Sequence, residues 1–322
     1  MNLALAELSR LVARRFVQLM TVLLIAAFGV TVATTVASSH QPTAVEWQRA
    51  EDQVRLAEQR IADVREDCER RQASASFCEA YAERDPRIED YLFGVFVFSE
   101  EITDLVYFLI AFLALFAFLV AASFVGAELT SGGMTNLLLW RPQRLTVLGT
   151  KLATVLAATV AVSIAASVLY IGAFYAIAEV AGVPGAVDGE FWGDLSLTVL
   201  RGLGMVLFAG ALGFGAATLG RHTAAALGLI ATYAIVWEIG ARIVFEVVEV
   251  GRPDQYMLTS YIGAWMAGDV SFYDQYACIG SFGSLCDGQY ELTWLHAAAV
   301  FAITLAVIVG GAFATFRHRD LA

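Results

Sequence analysis

Residues 105–126 read LVYFLIAFLALFAFLVAASFVG. No Asp, Glu, Lys or Arg interrupts them. A hydrocarbon core about 30 Å thick needs about 20 apolar helical residues to cross it. Lipid offers backbone N–H and C=O groups no partner, so a crossing segment must be a helix or part of a closed barrel. The stretch lacks the strict alternation of a barrel strand, and it reads as a transmembrane helix.

Extended along all 322 residues, the same reading yields six spans. They are Phe16–Ser38, Ile102–Gly126, Leu152–Ala178, Gly202–Gly220, Thr223–Val248 and Trp294–Phe316. The chain is 58% hydrophobic, above the roughly 45–50% of soluble domains. An amphipathic stretch from Leu3 to Arg15 precedes the first span, which is of full crossing length. That argues against a cleavable signal, whose apolar core is short. The formal charge of −11 argues against nucleic-acid binding.

Orientation follows from the excess of basic residues in cytoplasmic loops. With the N-terminus inside, the cytoplasmic segments hold Arg10, Arg14, Arg15, Arg141, Arg144, Lys151, Arg221, Arg317 and Arg319. The loop between the third and fourth spans carries Glu179, Asp188, Glu190 and Asp194 and no Lys or Arg. The expected fold is therefore an all-α membrane protein with six transmembrane helices, cytoplasmic N- and C-termini, and a helical, disulfide-containing extracellular region. Residues 1–38 form an amphipathic helix and the first span. Residues 39–101 are extracellular, and 102–248 hold spans two to five with a cytoplasmic segment at 127–151. Residues 249–293 are extracellular or interfacial, and 294–322 are the sixth span and its tail.

Within the first outer region, Trp47, Ala50, Val54, Ala57, Ile61, Val64 and Cys68 fall on alternating three- and four-residue steps. That is an a/d heptad seam needing a partner surface, in its own chain or in a second subunit. The aromatic run Tyr91–Phe98 is too short to span and is expected at the membrane surface. The second outer region is rich in Tyr, Trp and Phe and reads in part as an interfacial or re-entrant helix. All four cysteines, Cys68, Cys78, Cys278 and Cys286, lie in the outer regions. There oxidation persists, and the short local pairings Cys68–Cys78 and Cys278–Cys286 are favoured over cross-links between the regions. No metal site is expected, since the histidines are scattered and no close Cys pair occurs.

Glu238, Arg242 and Glu246 stand at successive i,i+4 positions. Two readings are open: a self-neutralising network near the outer headgroups, or the lining of a pathway. Arg201 either joins them or snorkels to the interface. Glycines crowd the fourth span and permit close helix approach.

The segment from Gly126 to Lys151 is the most informative. Glu128 ends the second span, and Ser131-Gly132-Gly133 makes a turn. Met134 to Trp140 is a short apolar stretch, and Pro142 stops it before Arg144 and Lys151. This reads as a short helix across the cytoplasmic face, with Leu137, Leu138 and Trp140 available to bilayer or partner. The pattern Glu128, Ser131, Gly132, Leu137, Leu138, Pro142, Arg144, Lys151 resembles the permease subunits of ABC-2 type transporters. So do the six spans and the amphipathic N-terminal segment. Gly133 departs from the family pattern, where threonine or another small polar residue is expected.

The resemblance implies the membrane-spanning permease subunit of an ATP-driven exporter in a bacterial plasma membrane. It implies pairing with a second permease subunit and with an ATP-binding ABC subunit that holds ATP and Mg. Glu128, Ser131, Gly132, Leu137, Leu138, Trp140, Arg141, Pro142 and Arg144 would couple the chain to that subunit. The sequence has no G-x-x-x-x-G-K-[ST] phosphate loop, so the chain is not expected to be an enzyme by itself or to bind a cofactor. A different reading is a non-transporting membrane scaffold or signalling protein acting through the extracellular seam.

Overall fold

A computed structural model describes residues 3–70, 86–140, 142–274 and 288–318. It is about 84% helical. Six helices are long and apolar enough to cross a membrane, which makes the chain a multi-pass membrane protein. Helix α1 is Leu3–Val12, α2 Arg15–Ser38 and α3 Ala44–Arg70. They are followed by α4 (Phe98–Thr130), α5 (Gly133–Trp140), α6 (Arg144–Ala181) and α7 (Gly189–Gly220). Helix α8 spans Thr223–Val247, α9 is Leu258–Ala267 and α10 Trp294–His318. The membrane-length helices are α2, α4, α6, α7, α8 and α10.

Three of these begin well before their apolar windows. Helix α6 has 38 residues, about 57 Å at 1.5 Å per residue, nearly twice the hydrocarbon thickness. Hydropathy marks where a helix lies in lipid and not where its hydrogen bonding ends. Arg144 and Lys151 therefore lie inside α6, and Glu190, Asp194 and Arg201 inside α7.

The chain divides into two compact units. One is Met1–Ala26, Val106–Ser167 and Asp194–Ala322, and the other is Ala27–Leu105 and Val168–Gly193. In the first, α4 and α7 supply most of the core, with Phe124, Val125, Phe214 and Ala217 fully buried. Leu11 of α1 and Phe316 of α10 join the same core cluster. Glycine lets α7 pack this closely, because a Cβ on Gly213 would lie 2.5 Å from the Phe118 carbonyl oxygen. Helix α9 leads into strand β3 (Asp269–Tyr273), which pairs antiparallel with β4 (Gln289–Thr293). Part of the aromatic region 249–293 is thus a short helix. The rest includes a two-stranded sheet that an all-α reading leaves out.

In the second unit, two-residue strands β1 (Phe96–Val97) and β2 (Gly182–Val183) pair in parallel. A Cβ on Gly182 would meet the Phe96 carbonyl oxygen at 2.3 Å, so the bridge requires glycine there. Most of the aromatic run is packed inside this unit. Phe96 and Phe98 are buried, and Phe98 packs on Tyr175, Phe191 and Trp192. Only Phe93 of the run's phenylalanines projects outward. The N-terminal part of the seam packs in its own unit, with Ala50 against Leu92 and Val95 and Trp47 beside them. Further along α3, Val54, Ala57 and Ile61 are half-buried and Val64 is exposed. Cys68 is buried and is not a free thiol. Cys78, Cys278 and Cys286, and with them both expected pairings, lie outside the described residues.

Candidate functional site

Four charged side chains from three helices meet in the first unit. Glu7 comes from α1, Arg14 from the break between α1 and α2, Glu128 from the last turn of α4, and Lys151 from the third turn of α6. Lys151, the only lysine of the chain, is ion-paired with Glu7. Its Nζ also donates to Glu128 Oε2 at 2.6 Å. Arg14 Nη2 donates to Glu128 Oε1 at 2.7 Å, and its Nη1 to the Ser123 carbonyl at 3.2 Å. Arg10 adds a 3.2 Å bond to Glu7 from the exposed side.

The cluster is balanced and closed. Lys151 is 0% and Glu7 1% exposed, and charges so buried persist only when paired and hydrogen-bonded. The ring of Phe124 floors the site, with Lys151 Nζ at 5.0 Å and Arg14 Cζ at 4.9 Å from its centroid. Both distances suit cation–π attraction. The result is a latch that holds α1 to the end of α4 and the start of α6. Its burial inverts the ordinary use of an amphipathic helix. Glu7 and Leu11 face inward, and Leu5, Leu8 and Val12 are exposed.

The connector follows at once. Gly132 has φ +72, a left-handed conformation that glycine adopts without cost. The turn lets α5 leave the axis of α4. Met134 is buried, and Leu137 and Leu138 pack partly on the core. Leu139 and Trp140, at 79% and 87% exposure, stand away from it. The outward surface expected from Leu137, Leu138 and Trp140 is therefore formed by Leu139 and Trp140. Ser131 and Pro142 are exposed, and Arg144 is half-buried at the start of α6. Arg141 lies outside the described residues.

Of the two i,i+4 pairs in the second charged group, Arg242–Glu246 forms and Glu238–Arg242 is replaced by other partners. Residues Tyr233–Ala241 of α8 form a π-helix, which brings residues five apart onto one face. Tyr233 Oη accordingly donates to Glu238 Oε1 at 2.8 Å. Glu238 also accepts from the backbone N–H groups of Leu258 at 2.7 Å and Thr259 at 3.2 Å, and from Thr259 Oγ1 at 2.8 Å. It thus caps the start of α9 from a neighbouring helix. Arg242 turns to Asp254 at 3.2 Å and to Glu246 at 3.9 Å. Arg201 Nη1 donates to the Met266 carbonyl at 3.1 Å at the other end of α9. The charges expected as one network hold three different points of the fold.

Sequence reasoning missed the partners of Lys151 and the role of Glu7. The available signal was a lone buried-type lysine and one acidic residue in an otherwise basic N-terminal helix. Among the described residues no group of His, Cys, Asp and Glu is placed to hold a metal ion. No protein-family model, curated protein or solved structure matches the chain.

Proposed function

We propose that the chain is the membrane-spanning permease subunit of an ATP-driven exporter of the ABC-2 type in a bacterial plasma membrane. Substrate moves outward, and ATP is hydrolysed on a separate subunit that docks at the connector. The observation that carries this reading is the pairing of an exposed apolar surface with a rigid mount. Leu139 and Trp140 project from α5, and the buried latch directly behind ties that end of α4 to α1 and α6. Force applied at α5 then reaches three helices at once. Aromatic residues exposed beside a rigid base are the usual anchors of protein interfaces.

The test is purification of the tagged chain from its native membrane in mild detergent, with assay of what accompanies it. A stoichiometric ATP-hydrolysing subunit is expected, lost in Leu139→Glu and Trp140→Glu variants that remain folded. Its undiminished recovery with both variants overturns the docking surface. Reproducible absence of any such subunit overturns the exporter reading. The scaffold reading keeps one supporting observation, the partly uncovered seam of α3 at Val54, Ala57, Ile61 and Val64. It gains if partners of that helix are recovered instead.

A further inference from the structure

A cavity of about 280 Å³ lies in the first unit between α4, α7, α8, α9 and α10. Phe118, Ile230 and Ile308 give it an apolar body, and Tyr233 and Leu258 form part of its wall. Leu229 and Ile230 are only half-covered, so it opens past α8 to the surroundings of the helices. Small-molecule pockets run from about 300 Å³ upward, and this one lies just below that range.

Two wall residues connect the cavity to charge. Tyr233 Oη and the Leu258 N–H both bond the same oxygen of Glu238. All four groups bonded to that carboxylate are neutral: a phenol, two backbone amides and the Thr259 hydroxyl. The nearest arginine in sequence, Arg242, is committed to Asp254 and Glu246. Among the described residues no cation pairs with Glu238. Neutral donors orient a carboxylate and leave its net charge in place. A carboxylate has about four lone-pair sites, and Glu238 Oε2 accepts only one of these bonds.

We propose that this cavity binds a hydrophobic monocation, its apolar body among Phe118, Ile230 and Ile308 and its charge toward Glu238. An anion would bring a negative group to the same carboxylate, and a neutral molecule would leave it uncompensated. In identifying the bound molecule as cargo, the inference rests on the exporter reading. The binding itself does not.

The full chain in nanodiscs of zwitterionic lipid is titrated with radiolabelled tetraphenylphosphonium and, separately, with tetraphenylborate, which has the same shape and opposite charge. Empty nanodiscs set the background. Saturable binding of the cation is expected, about tenfold weaker in Glu238→Gln and lost in Ile230→Trp, which fills the cavity and keeps the carboxylate. Equal saturable binding of the anion, no saturable cation binding, or unchanged affinity in either folded variant overturns the site. If Glu238→Gln does not fold, Ile230→Trp and the anion comparison still decide. No ATP-binding subunit is present in this assay. A negative result therefore removes the cation site and leaves the exporter reading standing. Saturable cation binding keeps the site whether or not an ATP-binding subunit is recovered with the chain.

Discussion

Lys151 and Glu7, 144 positions apart in the chain, form an ion pair with essentially no contact with solvent. Glu128 binds the same ammonium group and hands its other oxygen to Arg14. The amphipathic N-terminal helix is thereby held to α4 and α6 by charge, while Leu5 and Leu8 remain exposed.

Lys151→Met leaves Glu7 buried without its principal cation. Breaking one side of a buried pair costs about 3–5 kcal/mol, and a large fall in the thermal unfolding midpoint of the detergent-solubilised protein is expected. Glu7→Gln in the same chain should recover at least half of the loss, because Arg14 and Glu128 remain to neutralise each other. A double variant no better than Lys151→Met alone would show that the pair is not the source of the effect.

The connector should separate stability from coupling. Trp140→Ala and Leu139→Ala remove exposed atoms, and exposed substitutions usually change stability by less than about 0.5 kcal/mol. Met134→Ala empties a buried position of the same helix, at about 2–5 kcal/mol. Unfolding midpoints check the contrast. ATPase measurements in the reconstituted complex then check that the two exposed variants alone lose substrate-stimulated turnover.

Gly213→Ala should destabilise by about 1–3 kcal/mol, as overpacking does. Its new methyl would meet a carbonyl oxygen of α4, which cannot swing aside. Gly310→Ala has nothing within 4 Å and should be neutral or stabilising by up to about 1 kcal/mol through helix propensity. Parallel thermal melts of the two variants decide.

At the start of α3, Thr43 and Glu46 form a capping box. The Thr43 N–H donates to Glu46 Oε2 at 2.7 Å, and the Glu46 N–H to Thr43 Oγ1 at 3.3 Å. The backbone bond from Thr43, then its hydroxyl and His40, lower the Glu46 pKa from 4.5 to about 2. The folded pKa is depressed, so the stabilisation is present above about pH 4.5 and disappears as the pH falls toward 2. The stability difference between the parent protein and Glu46→Gln should shrink across that window. A difference independent of pH would rule out the carboxylate as its cause.

The six spans and the connector were legible because their signals are local. Twenty successive apolar residues, or a Ser-Gly-Gly turn before a short apolar stretch, need no knowledge of what lies elsewhere. The latch was not legible in this way. Nothing near Lys151 in sequence points to Glu7, and the basic residues before the third span satisfy the orientation rule on their own. Glu238 misled for a related reason. Its i,i+4 spacing to Arg242 assumes an α-helix, and the π-helix over Tyr233–Ala241 exchanges that relation for the i,i+5 bond to Tyr233.

Hydrophobicity and turn chemistry along the chain thus determined which segments are long and apolar enough to cross a membrane and where the connector bends. These are properties of consecutive residues, and water and lipid select among them directly. Tertiary structure alone decided which acid meets the single lysine, which connector residues face outward, and that Glu238 caps α9. Each of those depends on two or more helices meeting in space. Burial then makes an unpaired charge costly enough that only one arrangement of partners is stable.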